Sequence, residues 1–303
     1  MPSRILLAVV FCLAIPSVAP ARDVFVNNVV GDDGRDGSSP EGTGTRGGPC
    51  RTITRALQLA GNGDHVILAP TGEPYRESIT LQAERHSGQP GRPFMILGNG
   101  AVLDGAAPVP QNAWEPHAGD VYRFRPPRMS HQILSLDGKP LRRRPAEGGR
   151  GVPRLKPLEW CLHQGHIYFC YFCAEKNRTP REYHLSYTAL PVGITLYEIR
   201  HVVIRDVVVQ GYQLDGVNAH DGVVDSHLVG LKCRGNGRSG ISVGGASRVS
   251  ITACVAAENG EAQVRTEGFS RTAIVNCQLD DTTAPALVRD GGRVTMLANG
   301  AKR

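Results

Sequence analysis

Aromatic side chains make up only 6 % of the 303 residues, and lysine occurs only at positions 139, 156, 176, 232 and 302. With no aromatics interleaved among the basic residues there is no platform on which bases would stack, so a nucleic-acid partner is set aside. Past residue 21 no apolar run is long enough to cross a bilayer, so no membrane span is expected. Long stretches with a helical period are also missing, which excludes a helical bundle. Glycine is abundant, at 36 residues with 21 prolines, and it is spread along the whole chain. That pattern points to many short strands joined by tight turns. A hydrophobic content of 41 % is enough for a packed core and excludes global disorder. The length fits one large domain. The net charge of +6 is nearly all arginine, which is compatible with an anionic partner.

The first 21 residues have the pattern of a secretory signal peptide. Arg4 supplies the positive start, Ile5 to Ile15 the apolar stretch, and Ala19-Pro20-Ala21 the small-residue cleavage site. Cleavage near Ala21 would release residues 22–303 into a secreted or periplasmic, oxidising setting. Seven cysteines would remain: Cys50, Cys161, Cys170, Cys173, Cys233, Cys254 and Cys277. Seven is odd, so at least one is expected to stay free or to pair between chains.

A degenerate repeat occupies residues 201–290. Segments beginning at His201, Gly222, Arg248 and Arg271 each open with an alternating apolar strand followed by a turn with Gly or Asn. Second short strands follow at Gly216-Val217-Asn218-Ala219, Gly240-Ile241-Ser242-Val243 and Gln263-Val264-Arg265. Repeats of this length bury their apolar faces only by stacking on one another. Two or three strands per unit, with no helix between them, predict a parallel β-helix. Upstream, Ile53, Ala56, Leu57 and Ala60 share one face of a short helix over 51–60, with Gly61 just past its end. Such a helix would cover the open edge of the first coil. Strands are expected at His65–Leu68, Ser78–Leu81, Phe94–Leu97 and Ala101–Leu103. The repeat is lost over about 106–198, where Asp137-Gly138 and Gln164-Gly165 mark the hairpins of a small β insertion.

Several of these residues form a series. Val24-Phe25-Val26, the loop Gly31-Asp32-Asp33-Gly34-Arg35-Asp36-Gly37, Thr52-Ile53 with Ala56-Leu57, and Gly63-Asp64-His65-Val66 are followed by Tyr75-Arg76-Glu77-Ser78 and Val102-Leu103-Asp104-Gly105. In this order they resemble the secreted right-handed parallel β-helix proteins of the pectate lyase-like superfamily, related to chondroitinase B-type polysaccharide lyases. The resemblance covers most of 22–290. It implies an all-β, right-handed parallel β-helix and a polysaccharide partner, often an acidic one. Calcium is a possible cofactor by the same resemblance.

The residues that could carry chemistry cluster in the repeat. Along Asp215–Gly222, with Val217 and Ala219 inward, Asn218 and His220 point outward and Asp221 lies at the next turn. One coil on, the equivalent outward residue is Ser242, and on the next coil Arg265, with Glu267 nearby. β-Elimination from a uronate needs a cation to neutralise the carboxylate, a base for the C5 proton and an acid for the leaving oxygen. His220 fits the base or acid, oriented by Asp221, and Arg265 fits the neutraliser. Asn218-Ala219-His220-Asp221 also resembles the Asp-Pro-His-Asp motif of alginate C5-epimerases at two of its four positions. Lys232, Arg234 and Arg238, in the loop before Gly240, would bind a polyanionic chain beside this column, or form a solvated basic turn.

Other constellations have structural readings as strong as their functional ones. The Asp32–Gly37 loop matches only part of an EF-hand pattern and reads better as a set of Asx turns. Cys161, His163, His166 and Cys170 could share a hairpin face as a zinc site, with a disulfide among the insertion cysteines as the alternative. Cys254 and Cys277 are expected to stack inside successive coils. Asp280-Asp281 reads as a turn, without the further acidic motifs of polygalacturonase relatives. The sequence therefore predicts a polysaccharide lyase of the β-helix type, with a non-catalytic glycan-binding solenoid as the alternative. Oligomeric state is left open.

Overall fold

The computed structural model describes residues 20–128, 131–146, 151–171 and 179–297. Residues 1–19 of the expected leader and Cys173 fall outside these residues. Strands of the chain alternate between buried and outward positions: in Val202–Arg205, Val202 and Ile204 are buried and Arg205 is exposed. Each strand thus has one apolar side to hide, and it does so by stacking on its equivalent in the next coil. Ile79, Ile194, Val217, Ile241, Val264 and Leu287 are successive register partners of parallel strands. β-Branched residues stacked in this way fill the interior without voids.

The result is the expected parallel β-solenoid, with three faces. The first face contains Ile79–Gln82, Ile194–Tyr197, Asp215–His220, Ser239–Val243 and the start of Ala262–Val275. The second contains Phe94–Leu97, Val202–Arg205, Ser226–Val229, Arg248–Thr252 and the end of Ala262–Val275. The third contains Val102–Asp104, Val208–Gln210, Lys232–Arg234, Val255–Ala257 and Gln278–Leu279. The repeat frame differs from the sequence reading in one place. Ser226 pairs with Val249, so Asp225, rather than Gly222, is equivalent to Arg248, and residues 221–225 belong to the bend before the strand.

Between the second and third faces the chain bends at a single left-handed residue in each of the four coils after the insertion. These residues are Asp206, Gly230, Ala253 and Asn276, with φ of 54°, 65°, 53° and 52°. Glycine therefore turns only one of these four corners. Asp and Asn tolerate the left-handed region, and Ala253 is held there by its neighbours, its N–H donating to Val275 O at 2.9 Å. The next residue points inward at each corner. That places Cys254 and Cys277 on successive coils, as expected, with the Cys254 N–H on Cys277 Sγ at 3.4 Å.

The capping helix spans Ile53–Leu59, with Thr52 Oγ1 accepting from Arg55 N. Glu77 supports the same helix start, its two carboxylate oxygens accepting from Ile53 N (2.8 Å) and Thr54 N (2.9 Å). Ile53, Ala56, Leu57 and Ala60 are all buried. The helix stops without a left-handed glycine: Ala60 turns into extended backbone, and Gly61 N donates to Asp64 Oδ2 at 2.9 Å.

The insertion leaves the solenoid after Val102–Asp104 and returns at Ile194–Tyr197. It contains two four-stranded antiparallel sheets around Trp114, Phe124, Trp160 and Phe169. Both expected hairpin turns are present, with positive φ at Asp137 and Gly138 and at Gln164 and Gly165. The Arg142–Arg144 run packs within this unit. Arg143 lies over the Trp160 ring at 5.4 Å, and Arg142 and Arg144 face the buried Glu159 at 3.7 and 3.9 Å. Among the described residues no helix is long and apolar enough to cross a membrane.

Candidate active site on the first face

The register of the first face builds two adjacent outward columns. Asn218, Ser242 and Arg265 are successive partners, as the sequence reading expected. Two residues further along each strand come His220, Gly244, Glu267 and Asp290. Neighbouring rungs are ~4.8 Å apart. Gly244 is the gap that lets two rungs communicate. A Cβ there would lie 2.6 Å from His220 Cδ2 and 2.7 Å from Nε2. The imidazole therefore lies over Gly244 and reaches toward the second coil, where its Nε2 is 3.9 Å from Glu267 Oε2. Its Nδ1 is 3.0 Å from Asp221 Oδ2. The His220 side chain remains 42 % exposed, open to a ligand from solvent.

Two arginines stand on the coils that follow, and each is held by carboxylates. Arg238 donates from Nε and Nη2 to the fully buried Asp215 at 3.0 and 2.5 Å. That pairing pushes the Arg238 pKa further up, and its Nη1 lies 3.8 Å from Glu267 Oε1. Arg265 pairs with Asp290 and, at 3.3 Å, with Glu261 Oε2. Glu261 also takes His131 Nδ1 at 2.8 Å, tying the insertion to the first face. A continuous polar network thus runs Asp221–His220–Glu267–Arg238–Asp215. The second column has a different property: Asn218 Oδ1, Ser242 Oγ and Arg265 Nε are buried with no hydrogen-bond partner. Buried polar atoms rarely remain so without a function or a ligand.

The structure thus links His220, Asp221, Glu267 and Arg238 by contact, and sets Asn218, Ser242 and Arg265 in the adjacent register column, where Arg265 contacts Asp290 and Glu261 and not His220. It separates Lys232 and Arg234. These two lie on the strand Lys232–Arg234 of the third face, not in a loop beside the column, and Arg234 Nε donates to Gln210 Oε1 at 2.9 Å. The sequence reading missed Asp215 as the partner of Arg238, and also missed Glu261, His131 and Asp290. Asp215 is the one with a visible signal, as an acid at an inward strand position. Tyr197 was missed too: it is the register partner of His220, and the Glu198 carboxylate raises its phenol pKa.

Metal ligation finds no fit among the described residues, where no three His, Cys, Asp or Glu side chains converge on an ion site. In the Asp32–Gly37 loop, Asp33 Oδ1 accepts from Arg51 N and Thr52 N at 2.9 Å. Asp32 accepts from Gly34 N, and Asp36 from Ser38 N. These bonds to Ser38 pull the Asp36 pKa down. The carboxylates are spent on turns and on the helix start, as expected of Asx turns. In the insertion hairpin, His163 and His166 pair directly, while Cys161 and Cys170 are buried beside Tyr168 and Leu155. Asp280 accepts from Thr282 N at 2.9 Å in a turn.

Fold and site together define a parallel β-solenoid with a histidine–carboxylate–arginine cluster on one face. A solved glycoside hydrolase superposes on 85 % of this chain and 73 % of its own with a TM-score of 0.58 and 11 % identity, which establishes the shared fold. A complex of XylC with xylose aligns at TM-score 0.43 and 11 % identity over 91 % of this chain and 69 % of its own. A rhamnogalacturonan lyase aligns at TM-score 0.29 and 10 % identity over 85 % and 68 %. No protein-family model and no curated protein sequence matches the chain.

Proposed function

We propose that this is a secreted or periplasmic enzyme that cleaves an acidic polysaccharide by β-elimination on the first face. The observation that carries the reading is the placement of His220. It is oriented by Asp221, lies over Gly244 and shares Glu267 with Arg238, next to a column of three unpartnered buried polar atoms. Asn218 and Arg265, both partly exposed, would bind saccharide hydroxyl and carboxylate groups, with the fully buried Ser242 between them. Drawn from Asp290 onto a uronate carboxylate, the Arg265 guanidinium would stabilise the charge that develops when C5 loses its proton. His220 takes that proton. Its imidazolium is then stabilised by Asp221 and Glu267, and can pass the proton to the leaving oxygen. The fold shared with a glycoside hydrolase is in keeping with a saccharide ligand.

One observation favours a second reaction. Glu267 and Asp290 are register partners on adjacent strands, and retaining hydrolysis uses a close pair of carboxylates. A single assay separates the readings. The full chain is incubated with polygalacturonate, alginate and chondroitin sulfate, following the absorbance of unsaturated uronate and the release of reducing ends in parallel. Elimination raises both, and His220→Ala is expected to lower the rate at least about a hundredfold. Reducing ends without the absorbance establish hydrolysis instead. Neither signal from a folded sample removes catalysis and leaves a glycan-binding solenoid.

A further inference from the structure

The second face carries a feature that the first-face chemistry does not use. Arg248 is the register partner of Arg271, and Arg271 of Arg293. All three side chains are exposed, and their strands follow one another at ~4.8 Å. The residue that precedes them in the column is Asp225, whose Oδ1 is 4.0 Å from Arg248 Nε. Arg271 and Arg293 have no carboxylate partner among the described residues, in contrast to Arg238 and Arg265. Like charges stacked directly opposite one another destabilise a sheet, so this column lowers stability in the free protein.

The arginines form one wall of a groove of about 380 Å³. Its floor is the neighbouring outward column, where Ser250 and Ala273 are small enough to leave a trough between His227 and Thr295. We propose that this groove binds an anionic glycan chain lying along the solenoid axis, its acidic groups taken in turn by Arg248, Arg271 and Arg293. A guanidinium offers two parallel N–H donors to a carboxylate or a sulfate. Three of them at a fixed repeat select an extended polymer with regularly spaced anions over a small anion. The hydroxyls of Ser250 and Thr295 suit saccharide hydroxyls, and the lining of the groove includes no Phe, Tyr or Trp for a base to stack on. The site takes only the acidic glycan from the proposed function. The bend at 221–225 separates it from His220, so binding and turnover fail independently.

The test measures binding of polygalacturonate, dextran sulfate, neutral dextran and a DNA duplex to the immobilised full chain, at low and high salt. At least one of the two acidic glycans is expected to bind in a salt-sensitive way, and neutral dextran is expected not to bind. Arg271→Gln should weaken that binding about tenfold, the triple variant Arg248→Gln/Arg271→Gln/Arg293→Gln should abolish it, and Arg205→Gln, an exposed arginine outside the column, should leave it unchanged. The glycan whose binding is lost tells carboxylate from sulfate recognition. Because the substitutions remove repulsion, the triple variant should melt at or above the wild-type temperature and lose the rise in Tm that the polymer gives the wild type. Wild-type affinity in the triple variant, no binding by the wild type, equal binding of DNA, or loss of the fold in the triple variant would each overturn the proposal.

Discussion

At the scale of single residues, the first face depends on a side chain that is absent. Gly244 has no unusual backbone requirement; what matters is that its missing Cβ leaves room for the His220 ring. Gly244→Ala should therefore turn the imidazole aside rather than unfold the coil, because the atoms it meets belong to a rotatable side chain. The expected outcome is a fall of about tenfold or more in kcat/KM on the polysaccharide, with Tm within a few degrees of wild type. A variant with full activity would show that the contact between His220 and Glu267 is dispensable. The sequence marked Asn218, His220 and Arg265 through strand alternation, because period-two patterning states which side chains leave the core, and Asp221 as the turn residue that follows. It could not mark the Arg238–Asp215 pair. Asp215 occupies an inward position where pattern reading expects an apolar residue, and only the stack of coils shows that Arg238 reaches it.

At the scale of the repeating element, the coils are locked by a polar stack as well as by aliphatic columns. Asn236 and Asn259 are fully buried on successive coils, where the third face turns toward the first. The Asn236 N–H donates to Asn259 Oδ1 at 3.0 Å, and Asn236 Oδ1 in turn accepts from Tyr212 N at 3.1 Å. Asn259 Nδ2 donates to Cys233 O and to Gln263 Oε1. Asn236→Ala leaves the backbone N–H of Tyr212 buried without its acceptor and removes the Nδ2 donor to Val209 O. A loss of about 2–4 kcal/mol is expected, measured by urea unfolding. Asn236→Leu, with the same branching and number of side-chain heavy atoms, should do no better, because it leaves the same backbone N–H unpaired. The strands and the cap were legible in the sequence, since their apolar spacing is local. The insertion was legible only as hairpins: its sheets pair strands as distant as Ala106–Pro108 and Leu185–Thr188, and no local pattern carries that register. The frame of the repeat was misplaced at Gly222 for a related reason, because a glycine-led apolar stretch looks like a strand start even when it forms a bend.

At the scale of the whole molecule, a net charge of +6 conceals a segregation: carboxylates gather around the arginines of the first face, while the second-face arginines are nearly bare. Stability is likewise unevenly exposed to pH, because the capping region at the start of the solenoid contains a buried histidine. His86 Nδ1 accepts from the Gln82 N–H at 3.0 Å, so Nε2 carries the proton and donates to Leu57 O at 3.0 Å. The ring also packs against Phe94. Burial holds its pKa below the ordinary value, with Arg85 adding to the effect. Protonation would set a second N–H against that of Gln82. The unfolded chain titrates near ~6.5, so below that pH it takes up a proton that the folded state resists, and stability falls as pH drops through this region. In a stacked solenoid each coil is supported by its neighbours, so loosening under the cap exposes the edge of the first coil and is felt in the global transition. Wild-type Tm should fall more steeply between pH 7 and pH 5 than that of His86→Gln. The variant should be less stable at pH 7, by about 2 kcal/mol, through loss of the fitted ring. The two Tm profiles should converge toward acid, and profiles that stay parallel would mean that protonation of His86 does not limit the acid stability of the fold.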